Sequence, residues 1–185
     1  MIDLQLPPDS VERVKHVGLW FEGEELHVRG HLRDTFSDQR GGEHDVTLHQ
    51  YRIDMVVHVP SMEITSIEVT PLDLPYEDCF GAPPNAQLLV GEKLTTGFGA
   101  RAKEKLAGEL GCTHLGSLLA DLTVADLFKG YIWIRKLLRE GTIPQIPASD
   151  RKTGICAGWR RGGVLATTME SGRGIAPGRP YPELG

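Results

Sequence analysis

Apolar and polar positions alternate through much of the first part of the chain. Leu26, Val28 and Leu32 are separated by other positions in the way that is typical of a strand with one buried face. Between residues 46 and 59 the same period of two places six side chains on one face: Thr47, His49, Tyr51, Ile53, Met55 and Val57. A Pro-Ser turn and a run rich in β-branched residues follow. Residues 11–70 are therefore predicted to form an antiparallel sheet of about four strands.

The second part of the chain has helical spacing instead. Asn85 is a candidate N-cap of a short helix, and residues 100–110 are rich in Ala, Lys, Glu and Leu. A third helix is predicted to begin at Thr113 and to be bent or interrupted near Thr123. Its apolar residues recur at helical spacing: Leu115, Leu118, Leu119 and Leu122. Residues 85–138 are thus predicted to be mainly helical and packed on one face of the sheet, which is an α+β fold.

A chain of 185 residues is long enough for one domain with a sizeable core. We expect a single α+β domain over residues 1–170, in which residues 155–159 and 164–168 are candidate short strands. Gly, Pro and Arg dominate residues 171–185, and this composition predicts a disordered tail.

Charge and composition exclude some classes of partner. The formal net charge of −5 argues against general binding of nucleic acid, although basic residues are in excess after Lys129. No stretch approaches the roughly 20 apolar residues of a membrane span, and the N-terminus does not resemble an export signal. Three cysteines, an odd number, fit reduced thiols better than a disulfide framework. We therefore expect a cytoplasmic protein, and the choice between monomer and homodimer stays open.

Candidate chemistry begins at the start of the third helix, in the sequence Gly-Cys-Thr-His-Leu. The N-terminus of a helix favours a thiolate, so Cys112 is a candidate metal ligand or nucleophile. His114 lies two residues further on, and a Cys-x-His pair can chelate one ion. The alternative is that Cys112 is a small buried residue and that Thr113 caps the helix.

A second cysteine, Cys79, lies in the loop that leaves the predicted sheet. The chain has no Cys-x-x-Cys pair, and Cys156 has no clear role. We expect Cys79, Cys112 and His114 to converge on one metal ion, with zinc as the first candidate because thiolates and imidazole suit it, and iron as the second.

Two further residues are candidates for proton transfer. His44 and Asp45 open the long central strand after a Gly-rich loop, where a carboxylate can orient an imidazole. The alternative is that both are polar residues at the end of an element. His49 and His58, further along the strand, are expected to be structural.

Taken in order along the chain, these motifs resemble a bacterial family, domain of unknown function 2889. The resemblance covers roughly residues 11–165. It rests on the following motifs: His44-Asp45, Ile53-Asp54, Pro75 to Cys79, Leu89-Val90-Gly91, Gly111 to Leu115, Cys156-Ala157 and Gly162-Gly163. The family's name implies no activity, but its members are similar to proteins found among catabolic genes for aromatic or acyl-thioester compounds. Ala157-Gly158 stands where that pattern has a histidine after the late cysteine.

The predicted architecture also looks like that of iron–sulfur cluster scaffold proteins. This likeness implies a cluster or zinc at one end of the sheet, near Cys79 and the Cys112-His114 pair. The middle cysteine of the scaffold pattern has no counterpart here.

The resulting hypothesis is a small metal-dependent enzyme, a lyase or hydrolase, that acts on an organic small molecule in the catabolism of aromatic or acyl compounds. Two alternatives remain open at this point: a non-catalytic metal or iron–sulfur carrier, and a metal-free thiol or ligand-binding protein.

Overall fold

The computed structural model describes residues 6–7, 9–38, 44–125, 129–130, 132, 136, 139–141, 154 and 157–171. Of residues 38, 44, 45, 158, 165, 169 and 170 it describes the backbone alone. Residues 1–128 form one compact unit and residues 129–185 form a second.

The first unit begins with a four-stranded antiparallel sheet in the order β1-β2-β3-β4. Its strands are β1 (Val11–Glu22), β2 (Glu25–Asp38), β3 (His44–His58) and β4 (Glu63–Asp73). Short turns join β1 to β2 and β3 to β4, and Gly23, with φ of 60°, supplies the left-handed backbone that the first turn needs. The predicted sheet is confirmed.

The alternation of the sequence decides which face of the sheet is buried. Cross-strand pairing puts Val28 opposite Met55 and Leu26 opposite Val57, and all four side chains are buried. The apolar positions of β2 and β3 therefore share the inner face.

Helical elements follow the sheet in the first unit. They are 3₁₀ helices at Glu77–Gly81, Pro83–Leu89 and Gly108–Leu110, and the α-helices α1 (Phe98–Lys105) and α2 (Thr113–Asp121). The short helix predicted to begin after Asn85 is a 3₁₀ helix that has Ala82 at its N-cap and Asn85 inside it, so the predicted N-cap was wrong. The predicted 100–110 helix instead ends at Lys105, and α2 ends close to the predicted interruption.

Helix α2 packs on the inner face of the sheet at Gly30. A Cβ atom at this position would lie 2.9 Å from Leu122 Cδ2 and 3.3 Å from Leu118 Cδ1. The absent side chain lets the leucines of α2 approach β2, and they join the same buried cluster as Val28 and Met55. The predicted α+β class, with helices packed on the sheet, is confirmed.

The described part of the second unit is helical. It contains a 3₁₀ helix at Ala157–Trp159 and the helix α3 (Val164–Glu170). The prediction of short strands was wrong for residues 157–159 and 164–168, because these apolar residues are too few to distinguish a strand from a helix by their period. The predicted tail, apart from Ser171, lies outside the described residues, and the single-domain boundary of 1–170 stays a prediction.

No helix among the described residues is long and apolar enough to cross a membrane.

Candidate metal centre

A row of polar side chains interrupts the apolar inner face near one end of the sheet. Arg13 of β1 pairs with Asp34 of β2, and Asp34 pairs with His49 of β3. These positions continue the inward-facing alternation that includes Leu32 and Tyr51, which pair with each other in the neighbouring row. The pleat therefore directs three polar residues towards the side of the sheet that the helices cover.

Asp34 is buried and ionised. Arg13 donates from Nε to Asp34 Oδ1 at 2.6 Å and from Nη2 to Oδ2 at 2.7 Å. Burial by itself raises the pKa of Asp34, but the hydrogen bonds and charge of Arg13, helped by His114 and His49, leave that pKa below its ordinary value. The site therefore contains a fixed carboxylate, oriented by a two-pronged contact with a guanidinium.

His114 reaches this carboxylate from above the sheet, as the second residue of α2. Its Nε2 lies 3.6 Å from Asp34 Oδ2, and its ring stacks on that of His49 with centroids 3.6 Å apart. Burial lowers the pKa of His114, and the charges of His49 and Arg13 lower it further, against the opposing effect of Asp34. The neutral imidazole is therefore favoured, which is the form that binds metal ions.

The separations of these polar atoms exceed hydrogen-bond lengths and are close to the separation of two ligands on one ion, but the stacked rings of His49 and His114 must tilt for both nitrogen lone pairs to point at that ion. His49 Nδ1 lies 3.7 Å from Asp34 Oδ2, is buried, and has no hydrogen-bond partner among the residues that the structure describes. Separations of 3.6–3.7 Å exceed hydrogen-bond lengths. Two ligand atoms on a tetrahedral ion, with bonds of about 2.0–2.2 Å, are about 3.4 Å apart. One ligand atom from each of Asp34, His49 and His114 lies within 4.8 Å of the other two.

The contacts of Cys112 are with residues outside this trio. It is the N-cap of α2, and its Sγ accepts a hydrogen bond from the Leu115 N–H at 3.3 Å. The alternative in which Thr113 caps the helix is therefore wrong. Cys112 Sγ also lies 3.5 Å from the hydroxyl of Tyr51. Burial raises the pKa of that hydroxyl, and Cys112 and Cys79 raise it further, so Tyr51 stays protonated.

Cys79 lies in the 3₁₀ helix after β4 and is partly exposed. Both predicted cysteine ligands thus lie close enough to Tyr51 to affect its pKa. The structure brings His114 to Asp34 and His49 instead. Within the described ranges, Asp34, His49 and His114 are the one group of three His, Cys, Asp or Glu whose ligand atoms approach within 4.8 Å. Cys156 lies outside the described residues.

The backbone of His44 and Asp45 begins β3, opposite Asp38 and Ser37. At about 3.3 Å per residue these positions lie roughly 13–17 Å along the strand from His49. Their side chains lie outside the described residues, so their role in proton transfer stays a prediction.

Sequence reasoning missed Arg13, Asp34 and His49 as a group. The available signal was the position of Asp34, which falls in step with the buried run Leu26, Val28 and Leu32. An ionisable residue on the apolar face of a strand needs a partner. His49, on the neighbouring strand's inward face, was assigned a structural role.

A groove of about 650 Å³ lies between α1 and α2. Small residues form much of its wall, together with Cys112 and Thr113. Neither Asp34 nor His114 is among its described lining residues, so the groove is distinct from the candidate metal centre.

The sequence model of the family described as "Protein of unknown function (DUF2889)" matches residues 12–127. The chain belongs to this family. The matched region of the DUF2889 family contains all three members of the Asp34, His49 and His114 trio, together with Arg13, and it ends before the late motifs at Cys156 and Gly162. Comparisons with curated proteins and with solved structures found no match.

Proposed function

We propose that Asp34, His49 and His114 bind one divalent transition-metal ion and that the protein is a small metal-dependent enzyme of the lyase or hydrolase type. Its substrate is an organic small molecule. The observation that carries the proposal is the convergence of two imidazole nitrogens on one oxygen of a buried carboxylate, at 3.6 and 3.7 Å.

The protonation states of the trio support this assignment. The depressed pKa of Asp34 supplies an anionic oxygen, and the depressed pKa of His114 supplies a neutral imidazole. Neither group has to lose a proton to bind an ion near neutral pH. Arg13 would act as the outer partner that orients the carboxylate, as is common around metal ligands.

Three protein ligands leave at least one coordination position for water or substrate, which is typical of catalytic sites. Zn²⁺ held by these three residues would supply a water ligand with a pKa of about 7 and would polarise a carbonyl group. Two histidines and one carboxylate also suit Fe²⁺. Zinc and iron therefore both remain candidates, as proposed from the sequence.

The alternative of a non-catalytic iron–sulfur carrier receives less support. Iron–sulfur clusters are held by thiolates, and the proposed trio contains none. A ligand role for Cys79 and Cys112 is a competing proposal, and metal binding by cysteine variants distinguishes the two.

Metal content tests the first half of the proposal. Untagged protein is stripped with a chelator, reloaded with Zn²⁺ and analysed for bound metal. We expect one ion per chain in the wild type and in Cys112→Ser, and none in His49→Ala or His114→Ala. His58→Ala is the matched control because His58 lies on the same strand and bonds to Ser61. Retention of zinc by both His49→Ala and His114→Ala contradicts the proposed site.

Turnover of model substrates tests the second half of the proposal, which is that the protein is an enzyme. Stripped and reloaded proteins are compared on activated esters, thioesters and β-hydroxy acids, which report hydrolase and lyase activity. We expect product only from the reloaded protein, with losses in His49→Ala and His114→Ala that follow their loss of metal. Stoichiometric metal without turnover of any of these substrates favours the carrier.

A further inference from the structure

The candidate centre is poor in negative charge. Asp34 is the one carboxylate of the trio, and Arg13 already balances it through both oxygens. Lys15, in the next position on the inner face of β1, is paired with Asp121 at 2.7 Å. A divalent ion bound by two imidazoles and this carboxylate would therefore leave a net charge of about +2, since a coordinated imidazole carries no charge and the carboxylate and guanidinium cancel.

Arg13 has donors left for a second anion. A guanidinium carries five N–H donors in a planar fork, and the two contacts to Asp34 come from Nε and Nη2. The Arg13 side chain is 40% exposed, whereas that of Asp34 is 4% exposed. The guanidinium thus connects the buried carboxylate to solvent and can be approached from outside.

The ion and the guanidinium would share one oxygen. Asp34 Oδ2 is 2.7 Å from Arg13 Nη2 and is the same oxygen that faces His49 Nδ1 and His114 Nε2. With a metal–oxygen bond of about 2.1 Å, the ion would lie within about 5 Å of Nη2. A carboxylate ligand can span this separation, with one oxygen on the ion and the other on Arg13.

We propose that the substrate of this site is an organic carboxylate, bound by the metal and by the guanidinium of Arg13 together. The inference rests on the proposed metal site and adds the chemical class of its ligand. A neutral amide of the same shape brings no negative charge to balance the ion and the guanidinium, and it is therefore expected to bind more weakly.

Visible spectroscopy of the Co²⁺-loaded full chain tests this inference, because bands of bound Co²⁺ respond to a change of ligand. Acetate and benzoate are titrated into the protein, and acetamide and benzamide serve as neutral controls. We expect saturable changes of the bands with the two carboxylates and none with the amides over the same concentrations.

Two variants separate the role of Arg13 from a merely structural one. Arg13→Gln removes the guanidinium that is proposed to hold the second oxygen of the ligand, so in protein saturated with Co²⁺ we expect the carboxylates to bind roughly 10- to 100-fold more weakly. The Co²⁺ affinity of this variant is measured separately, because Arg13 also orients Asp34. Arg33→Gln, which alters an exposed arginine of β2 that contacts Thr47, should change neither affinity.

The outcomes of this experiment distinguish the carboxylate inference from the proposed metal site on which it rests. If the Co²⁺ bands do not change with carboxylates, or change equally with amides, the carboxylate inference is wrong and the proposed metal site is unaffected. The absence of Co²⁺ bands in the wild type overturns both. The comparison of carboxylates with amides in the wild type tests the carboxylate inference even if Arg13→Gln does not fold.

Discussion

Asp34 is the residue on which the centre depends, because a buried carboxylate is stable only when it is paired. Arg13 supplies the pair through two hydrogen bonds, and nitrogen atoms of His49 and His114 lie 3.6–3.7 Å from Oδ2. The same carboxylate thus joins strand β1 to β2 and, in the proposed site, would also bind the metal ion. Removal of its partner and removal of the proposed ion should have separable effects.

Arg13→Met should lower the free energy of unfolding of the metal-free protein by about 2 kcal/mol. A broken buried ion pair costs about 3–5 kcal/mol, and the partial exposure of Arg13 reduces this cost. Urea denaturation measures the difference. Arg33→Met, at an exposed position, should change stability by no more than about 0.5 kcal/mol. Equal effects of the two substitutions would show that the Arg13–Asp34 pair contributes nothing specific.

His31, which lies opposite His16 in the sheet, should make stability depend on pH. Burial lowers the pKa of His31, and the charges of His16 and Arg33 lower it further. Protonation therefore favours the unfolded chain, so this contribution is fully present above the ordinary pKa of about 6.5 and is lost as the pH falls below it.

Urea unfolding at pH 7.5 and at pH 5 should show a smaller loss of stability on acidification in His31→Gln than in the wild type. The loss does not vanish in the variant, because the depressed pKa of His114 acts in the same direction. A steeper loss in the variant than in the wild type would reverse the assigned sign.

At the scale of elements, the segment that leads into α2 requires a glycine at position 111. A Cβ at Gly111 would lie 2.3 Å from the backbone oxygen of Leu106, whereas a Cβ at Gly116, inside α2, would have nothing within 4 Å. The first position admits no side chain without moving the segment that delivers Cys112 and His114. The second is an open helical site.

Two glycine substitutions therefore have opposite expected effects. Gly111→Ala should destabilise the fold by about 1–3 kcal/mol, because the backbone must shift, and should also weaken metal binding through displacement of His114. Gly116→Ala should stabilise it by about 0.5–1 kcal/mol through helix propensity. Thermal unfolding with and without Zn²⁺ measures both effects. A Gly111→Ala variant as stable as the wild type would contradict the described packing.

The sequence predicts the elements better than it predicts the site, for a physical reason. Alternation reports directly which strand residues face the core, so the sheet follows from positions such as Val28 and Met55. Which residues meet across strands depends on register, and the β2–β3 ladder shifts between Asp34 and Thr35. The position of His114 above that row depends further on the packing of α2 at Gly30, which no local pattern reveals.

Convergence of the cysteines was predicted on the assumption that the exit loop of the sheet and the start of α2 meet at a shared metal. Both segments approach Tyr51, as the effect of the two thiols on its pKa indicates. The histidine of the same helix turn instead lies over the neighbouring row of the sheet, with Asp34 and His49. His114 thus lies one cross-strand row away from the row of Tyr51, near which the two cysteines lie. The candidate ligand atoms therefore change from the sulfur of the cysteines to nitrogen and oxygen.

At the scale of the whole molecule, the candidate centre belongs to the first compact unit. Residues 1–128 include the family match and all three proposed ligands. We expect a chain of residues 1–128 to unfold cooperatively and to bind one Zn²⁺ with an affinity close to that of the full chain. Calorimetric titration of both chains makes the comparison. A fragment that folds but does not bind zinc would show that residues 129–185 contribute to the site.

The ligand set itself can be measured by X-ray absorption at the zinc edge of the reloaded full chain. The Asp34, His49 and His114 site predicts a first shell of nitrogen and oxygen at about 2.0–2.2 Å, with imidazole scattering and no sulfur. The spectrum should be unchanged in Cys112→Ser. A sulfur shell at about 2.3 Å, lost in that variant, would contradict the proposed centre and establish the cysteine ligands in its place.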